Sequence, residues 1–369
     1  MKGRKDTAID LFCGCGGLSL GLKRAGFQIL AAVDSDALAI ETYEQNHANV
    51  HVIKSDIRKT APRHLMEALN IEPGELTLLA GCPPCQGFST LRTLNGRKSV
   101  VDPMNDLIFQ FIRFARVFRP KTIMVENVPG LAADQRLERF RERLGKLGYT
   151  HQVKIFDASE YGVPQRRRRM ILIAVRGVHQ LEFAPPSRRK RSVRGAIGAL
   201  PPPDRSRDPI HSHPVNRAPS VLKMISKIPK DGGSRSDLRK NYRLACHERC
   251  DGFKDVYGRM SWALPAPTIT GGCINPSKGR FLHPDQDRAI TLREAAMLQG
   301  FPRTYRFAMT RGLYPAAQMV GNAFPPEFAA RHARHLKEIL MRWEKGQKTN
   351  NRTGDAHAAS IKQSKRHSR

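Results

Sequence analysis

Thr7-Ala8-Ile9-Asp10-Leu11-Phe12-Cys13-Gly14-Cys15-Gly16-Gly17-Leu18-Ser19-Leu20-Gly21-Leu22-Lys23-Arg24-Ala25 is the stretch from which the fold is read. Residues 7–12 have strand character, glycines follow at once at 14, 16 and 17, and Leu18 to Ala25 has helical character. A strand, a glycine turn and a helix in direct succession begin a mononucleotide-binding unit. Working outward, the pattern repeats. Ile29–Val33 reads as a strand ending at Asp34, Ala37–Asn46 as a helix, and Val50–Ile53 as a short strand followed by Asp56. Leu76–Ala80, Thr122–Val125, Val153–Phe156 and Met170–Val175 are further strands, and Leu107–Val117 and Leu137–Leu147 are helices between them. Strands alternating with helices predict an α/β fold, a doubly wound and mostly parallel sheet with helices on both faces.

The alternation stops near residue 185. Between Ser187 and Arg259 there are eighteen Lys or Arg against seven Asp or Glu, with many Pro and Ser and little periodicity. This predicts a second, smaller and irregular domain over 186–317. A helix resumes at Leu292–Gln299, and a final amphipathic one, about Glu327 to Trp343, starts after Pro325-Pro326. Residues 318–344 are expected to return to the first domain, 1–185. Residues 345–369 hold seven Lys or Arg, one acid and almost no apolar content, which predicts a disordered basic tail. The chain of 369 residues is 40% hydrophobic and carries a formal charge of +30. Such an excess points to a polyanionic partner, nucleic acid first. No stretch is long and apolar enough to span a membrane, and the start of the chain does not read as a signal peptide. Seven cysteines at low density suggest a reducing compartment.

Four places carry candidate chemistry. The glycine turn is not a dinucleotide G-x-G-x-x-G, because Ser19 stands at the third position. It leaves room for a cofactor without pyrophosphate, and Asp34, about twenty residues on, suits ribose hydroxyls as well as a helix N-cap. The run Gly81-Cys82-Pro83-Pro84-Cys85-Gln86-Gly87 ends the Leu76–Ala80 strand in an ordered turn and sets Cys85 at its carboxyl end. A thiol there is a candidate nucleophile. Cys82 and Cys85 also form a C-x-x-C. However, a zinc site needs a second pair, and the other close one is Cys246 and Cys250 around His247. No metal is expected, and Cys82 reads as a buried inert cysteine. Glu126-Asn127-Val128-Pro129 closes a neighbouring strand with a candidate acid. In Gln165-Arg166-Arg167-Arg168-Arg169 alternate arginines should point opposite ways, so that one set enters the cleft.

Taken in order, these motifs resemble the DNA (cytosine-5)-methyltransferases of the prokaryotic type. Asp10-Leu-Phe-Cys-Gly-Cys-Gly-Gly17 resembles the S-adenosylmethionine (SAM) loop of that family, Gly81 to Ser89 its nucleophile loop and Glu126-Asn-Val128 its acid motif. Gln165-x-Arg167-x-Arg169 resembles its arginine motif, and Arg293 to Pro302 and Gln318 to Pro325 its two closing motifs. The resemblance spans about residues 7–342. It implies a Rossmann-like methyltransferase fold with a target recognition domain, and transfer of methyl from SAM to C5 of a flipped-out cytosine in double-stranded DNA. It also implies Cys85 as nucleophile at C6, Glu126 as the donor to N3, and Arg169 with Arg167 at the base O2. The cofactor would lie against Phe12, Gly14, Gly16, Asp34, Asp56, Ile57, Pro83, Leu107 and Asn322. Residues 89–101 would form a closing loop, and 187–285 would read the major groove. A monomer in a prokaryotic cytoplasm, associated with the nucleoid, is the expected setting. The alternatives are the same chemistry on RNA and a silent DNA-binding protein of the same fold.

Overall fold

The computed structural model describes residues 6–84, 106–239 and 255–364, with side chains up to 347. In chain order the elements are β1 (Thr7–Leu11), α1 (Gly17–Arg24), β2 (Gln28–Asp34), α2 (Ala37–Glu44), β3 (His51–Lys54), α3 (Pro62–Ala68) and β4 (Leu78–Gly81). Then come α4 (Ile108–Phe118), β5 (Thr122–Asn127), α5 (Gln135–Lys146), β6 (Tyr149–Asp157) and β7 (Arg168–Arg176). After β7 only helices and short turns follow among the described residues: α6 (Val193–Ile197), α7 (Pro219–Lys227), α8 (Leu292–Gln299), α9 (Leu313–Asn322) and α10 (Pro326–Ser364).

The seven strands form one sheet in the order β3-β2-β1-β4-β5-β7-β6. All are parallel except β7, which runs antiparallel to both neighbours. The chain winds from β1 through β2 to β3, then returns to place β4 on the other side of β1. That reversal is a topological switch point, and the crevice beyond the carboxyl ends of β1 and β4 is where such sheets bind ligands.

Alternation along the strands builds a core on each face. Ala8, Leu78, Ala80, Met124, Ile171 and Ile173 face α1 and α10, where Leu18, Leu22, Phe328, Ala333 and Leu336 meet them. Ile9, Leu11, Leu79, Ile123, Val125 and Leu172 face the other way, onto Phe111, Phe114, Phe118, Leu137 and Phe140 of α4 and α5. A third cluster joins Val193, Trp262, Ile269, Leu292, Phe301, Tyr305 and Val320 with Cys15 of the glycine turn. The segments after β7 therefore pack directly on the loop that opens the chain.

The last helix reaches into the stretch expected to be a disordered tail. The helix that starts at Pro326 runs on to Ser364 as one element. A helix already nucleated and packed over its first part adds further residues at little cost, which composition alone does not report.

Candidate active site

The register of β4 on β5 pairs Gly81 with Val125. The next residues, Cys82 and Glu126, therefore lie side by side at the carboxyl rim. Glu126 is 7% exposed. Its Oε1 accepts from Arg169 Nε at 2.8 Å, a charge-assisted bond that fixes the carboxylate. Arg169 sits at the start of β7, which reaches the same rim because it is antiparallel, and its Nη1 donates to Arg168 O at 2.7 Å. The Cys82 thiol lies beside the same carboxylate. Burial first, and then the Glu126 charge, push that thiol well above its ordinary range, so it stays a protonated donor. Asn127 completes the link: its Nδ2 donates to Pro83 O at 3.0 Å, and its Oδ1 accepts from Val128 N at 2.8 Å. The acid strand thus holds the turn that leads into Cys85. Cys85 itself, residues 89–101, and Cys246, His247 and Cys250 lie outside the described residues.

Along 165–169, Arg166 and Arg168 are exposed, while Gln165 and Arg167 are buried. Arg167 turns inward. Its Nη1 and Nη2 donate to Ile269 O and Gly321 O, both at 3.0 Å, and its Nε has no partner among the described residues. Burial, then the Arg169 cation, weaken its hold on its proton. Gln165 braces the same segments, accepting from Ile269 N at 2.8 Å and donating to Gln299 Oε1 at 2.5 Å. The two motif residues ahead of Arg169 therefore tie β7 to the closing segments.

The glycine turn supplies the other half of the site. Phe12, Gly14 and Gly16 all have positive φ, 61°, 51° and 87°, the left-handed region that favours glycine. A side chain at Gly16 would also meet Tyr305 Oη at 2.8 Å. Tyr305 pins the loop by donating to Cys15 O at 2.5 Å. Asp34, at the end of β2, accepts from Gly14 N at 2.8 Å on Oδ2 and from Asp36 N at 2.9 Å on Oδ1. Burial raises its pKa, and these backbone donors oppose the rise. Nothing lies within 4 Å of where a Gly14 Cβ would be. An open loop beside a carboxylate with lone pairs to spare suits the sugar of a nucleoside cofactor. Ile57 and Leu107 are buried in the apolar cluster that includes α4, and Pro83 is buried at the rim. Asp56 is drawn to Arg58 on both oxygens, which holds its pKa down to about 2. Asn322 is exposed at the last position of α9, next to the Gly321 carbonyl that Arg167 holds.

The C-5 cytosine-specific DNA methylase family matches residues 7–338. The chain belongs to that family. This methylase is 36% identical over 349 residues to the type II methylase M.HgiDII of Herpetosiphon aurantiacus, covering 90% of this chain and 96% of the relative. It is 32% identical to the type II methyltransferase M1.BsuMI of Bacillus subtilis, covering 91% and 83%. In fold it is similar to the methyltransferase EhMeth of Entamoeba histolytica, with a TM-score of 0.61 at 17% identity over 91% of this chain and 99% of that one. The methylase is a DNA cytosine-5 methyltransferase of the type II kind, built on the Rossmann-like sheet of a SAM-dependent family. No helix among the described residues is long and apolar enough to cross a membrane, and no cluster among them has the make-up of a metal site.

Sequence reasoning missed three participants. Cys82 reads as inert, yet it stands beside the acid. Asn127 carries no charge to flag it, yet holds the turn at Pro83. Tyr305 is an isolated aromatic in the sequence and a clamp on the glycine loop in the fold. For Cys82 a signal existed: neighbouring parallel strands whose apolar runs stop at Ala80 and Val125 bring the residues that follow to one rim.

Proposed function

We propose that this methylase transfers a methyl group to C5 of a cytosine flipped out of a specific duplex site, through a covalent adduct of Cys85 at C6. The observation that carries this reading is the Glu126–Arg169 pair at 2.8 Å, joined by Asn127 to the turn before Cys85. When bound, SAM supplies an electrophilic methyl group. Phe12, Gly14 and Gly16 would hold its methionine part, Asp34 its ribose, and Asp56, Ile57, Pro83, Leu107 and Asn322 the rest of its pocket.

Cytosine is a poor electrophile at C6 until N3 gains a proton or a strong hydrogen bond, and Glu126 supplies that. The Cys85 thiolate then adds to C6, and the electron pair moves to C5, which becomes the nucleophile. Once C5 has taken the methyl group, loss of its proton to water expels the thiolate and restores the 5,6 double bond, and the N3 proton returns to Glu126. Arg169 keeps the carboxyl aimed at N3 and reaches the base O2. Arg167 serves as the brace between β7 and the closing segments, rather than as a second contact to the base. Stacking in a duplex covers the C5–C6 edge, so the base must leave the helix. Residues 186–317 act as the recognition region, and a monomer acting where prokaryotic DNA lies in the cytoplasm is sufficient for all these steps.

The test is transfer of labelled methyl from SAM to mixed-sequence duplex DNA, with Cys85→Ala as control. Transfer by the wild type and none by the variant supports the reading. Transfer to tRNA but not to duplex DNA in direct competition would overturn the DNA assignment, and equal transfer by Cys85→Ala would overturn the adduct.

A further inference from the structure

The flank formed by α1 and α10 carries charge that the proposed chemistry does not use. Arg188, Arg189, Lys190 and Arg191 form an exposed run after β7. The segment that carries them is anchored. Ser187 N donates to Glu160 O at 2.7 Å, and Ser187 Oγ accepts from Arg331 Nη2 of α10 at 3.0 Å. Two more arginines converge on the same place from the helices. Arg24 at the end of α1 and Arg334 of α10 each lie 3.9 Å from Glu327. Arg24 holds its proton less tightly because of burial, with the Arg191 and Arg334 cations adding to the effect. Like charges gathered around one carboxylate repel each other, and a polyanion relieves that repulsion.

The position of this cluster says which polyanion. β6 is parallel to β5, since both are antiparallel to β7. The turn after β6, Ala158–Tyr161 with Gly162, therefore stands on the same rim as Glu126, two strands to the side, or about 10 Å. Ser187 is bonded to that turn, and Gly162 packs near both Glu327 and Ser187. The charged run thus begins at the rim and continues down the outer face of α1 and α10. A duplex that presents one base to Glu126 extends well past the rim, because one turn of it is about 34 Å long.

We propose that Arg188–Arg191, with Arg24 and Arg334, grip the phosphate backbone of the substrate duplex outside the recognition sequence. This rests on the DNA-methylation reading above and removes residues 188–191 from the base-reading surface. It makes the grip sequence-independent and dependent on duplex length.

The test uses the full chain and two duplexes of about 12 and about 40 base pairs sharing one central site, which the mixed-sequence transfer assay identifies. Dissociation constants are measured against salt for the wild type and for Arg188→Gln/Arg189→Gln/Lys190→Gln/Arg191→Gln. For the wild type, the long duplex should show the steeper salt slope. The variant should lose that increment, by up to about 0.9 in slope for each phosphate contact removed, and keep the short-duplex slope. A second variant, Arg24→Gln/Arg334→Gln, should lose part of the same increment with residues 188–191 intact, and matching thermal melts would show that both variants fold. An equal loss on both duplexes, or no loss on either, would overturn the proposal. Failure of the DNA reading itself looks different: the wild type would then methylate neither duplex.

Discussion

Two parts of this chain solve the same problem in opposite ways. In the sheet, up to Arg176, backbone donors and acceptors pair across seven strands, and apolar side chains fill both faces. From Val193 to Ile290 no strand ladder forms among the described residues, only isolated bridges such as Arg259 with Leu282. There the carbonyls are met by arginines. Arg259 is fully buried and spends its guanidinium on the carbonyls of Ile225, Ile228, His283 and Gln286 and on the Asp287 carboxylate. Arg280 bonds Gly232 O at 2.8 Å, and Arg217 bonds Ile274 O at 2.8 Å. A guanidinium has five donors in a fixed fork, so it replaces a ladder where the chain is irregular. The net charge of +30 is thus not all free for a partner: part of the basic content after β7 holds its own backbone together.

The strongest way to break this contrast is Arg259→Met. It strips four carbonyls and one carboxylate of their donor at once. A loss of about 3–5 kcal/mol is expected, as for one partner removed from a buried charge network. Denaturant unfolding should show it, with hydrogen exchange increased in 219–290 and little changed in the sheet. Arg259→Lys should recover only part, because an ammonium cannot reach all five acceptors. Equal loss of protection in β1, β4 and β5 would mean that the two regions unfold as one.

That contrast also explains what was legible in the sequence. The strands were readable because a two-sided core leaves short apolar runs that stop at Gly81, Asp34 or Glu126. α1, α2, α4, α5 and α8 were readable from periodicity. The missed helices are α3, α6, α7 and α9; α3 buries only Pro62 and Leu65, and α7 only Met224 and Ile225. Their place is set by tertiary contact. The role of Arg259 left no trace, because its partners are mainly carbonyls, which every residue has. At the site, motif order singled out Glu126 and Arg169, which the fold pairs, while the inward brace of Arg167 needed the positions of Ile269 and Gly321.

The sheet half should be sharpened by pH. Asp10, at the end of β1, is fully buried, with Ser19 donating to Oδ2 at 2.7 Å and Oδ1 without a partner among the described residues. Burial raises its pKa to about 7, from 3.8. Between about pH 4 and 7 the folded state keeps a proton that the unfolded state has lost, so stability falls as pH rises through that window, by up to about 4 kcal/mol. Asp10→Asn should remove this limb from a plot of stability against pH. His332 gives the opposite limb. It sits among Phe156, Tyr161 and Phe328 at centroid distances of 5.1, 5.0 and 4.9 Å, and burial lowers its pKa to about 3, from 6.5. Its contribution is complete above 6.5 and is lost as pH falls towards 3, reaching about 2 kcal/mol at pH 5. His332→Leu should flatten that acid limb. An unchanged slope in either variant would place the titration elsewhere.

The smallest expected effect tests where the ladder and the side-chain network meet, at Cys82. Register alone puts it beside Glu126, and its thiol remains a donor because burial and the Glu126 charge keep it protonated. A donor on the acid keeps one carboxyl oxygen occupied and so fixes which way the other faces. Losing one such bond costs about 1 kcal/mol, or about a factor of five in rate if the bond matters most at the transition state. Cys82→Ala should therefore lower kcat by about that factor with little change in KM for DNA, as expected of a residue that acts through Glu126. Cys82→Ser restores a donor of nearly the same size and should recover most of the rate. If Ala and Ser lower kcat equally, the thiol acts by filling space against the core. If Ser recovers and Ala does not, the half of the C-x-x-C that looked inert steers the acid.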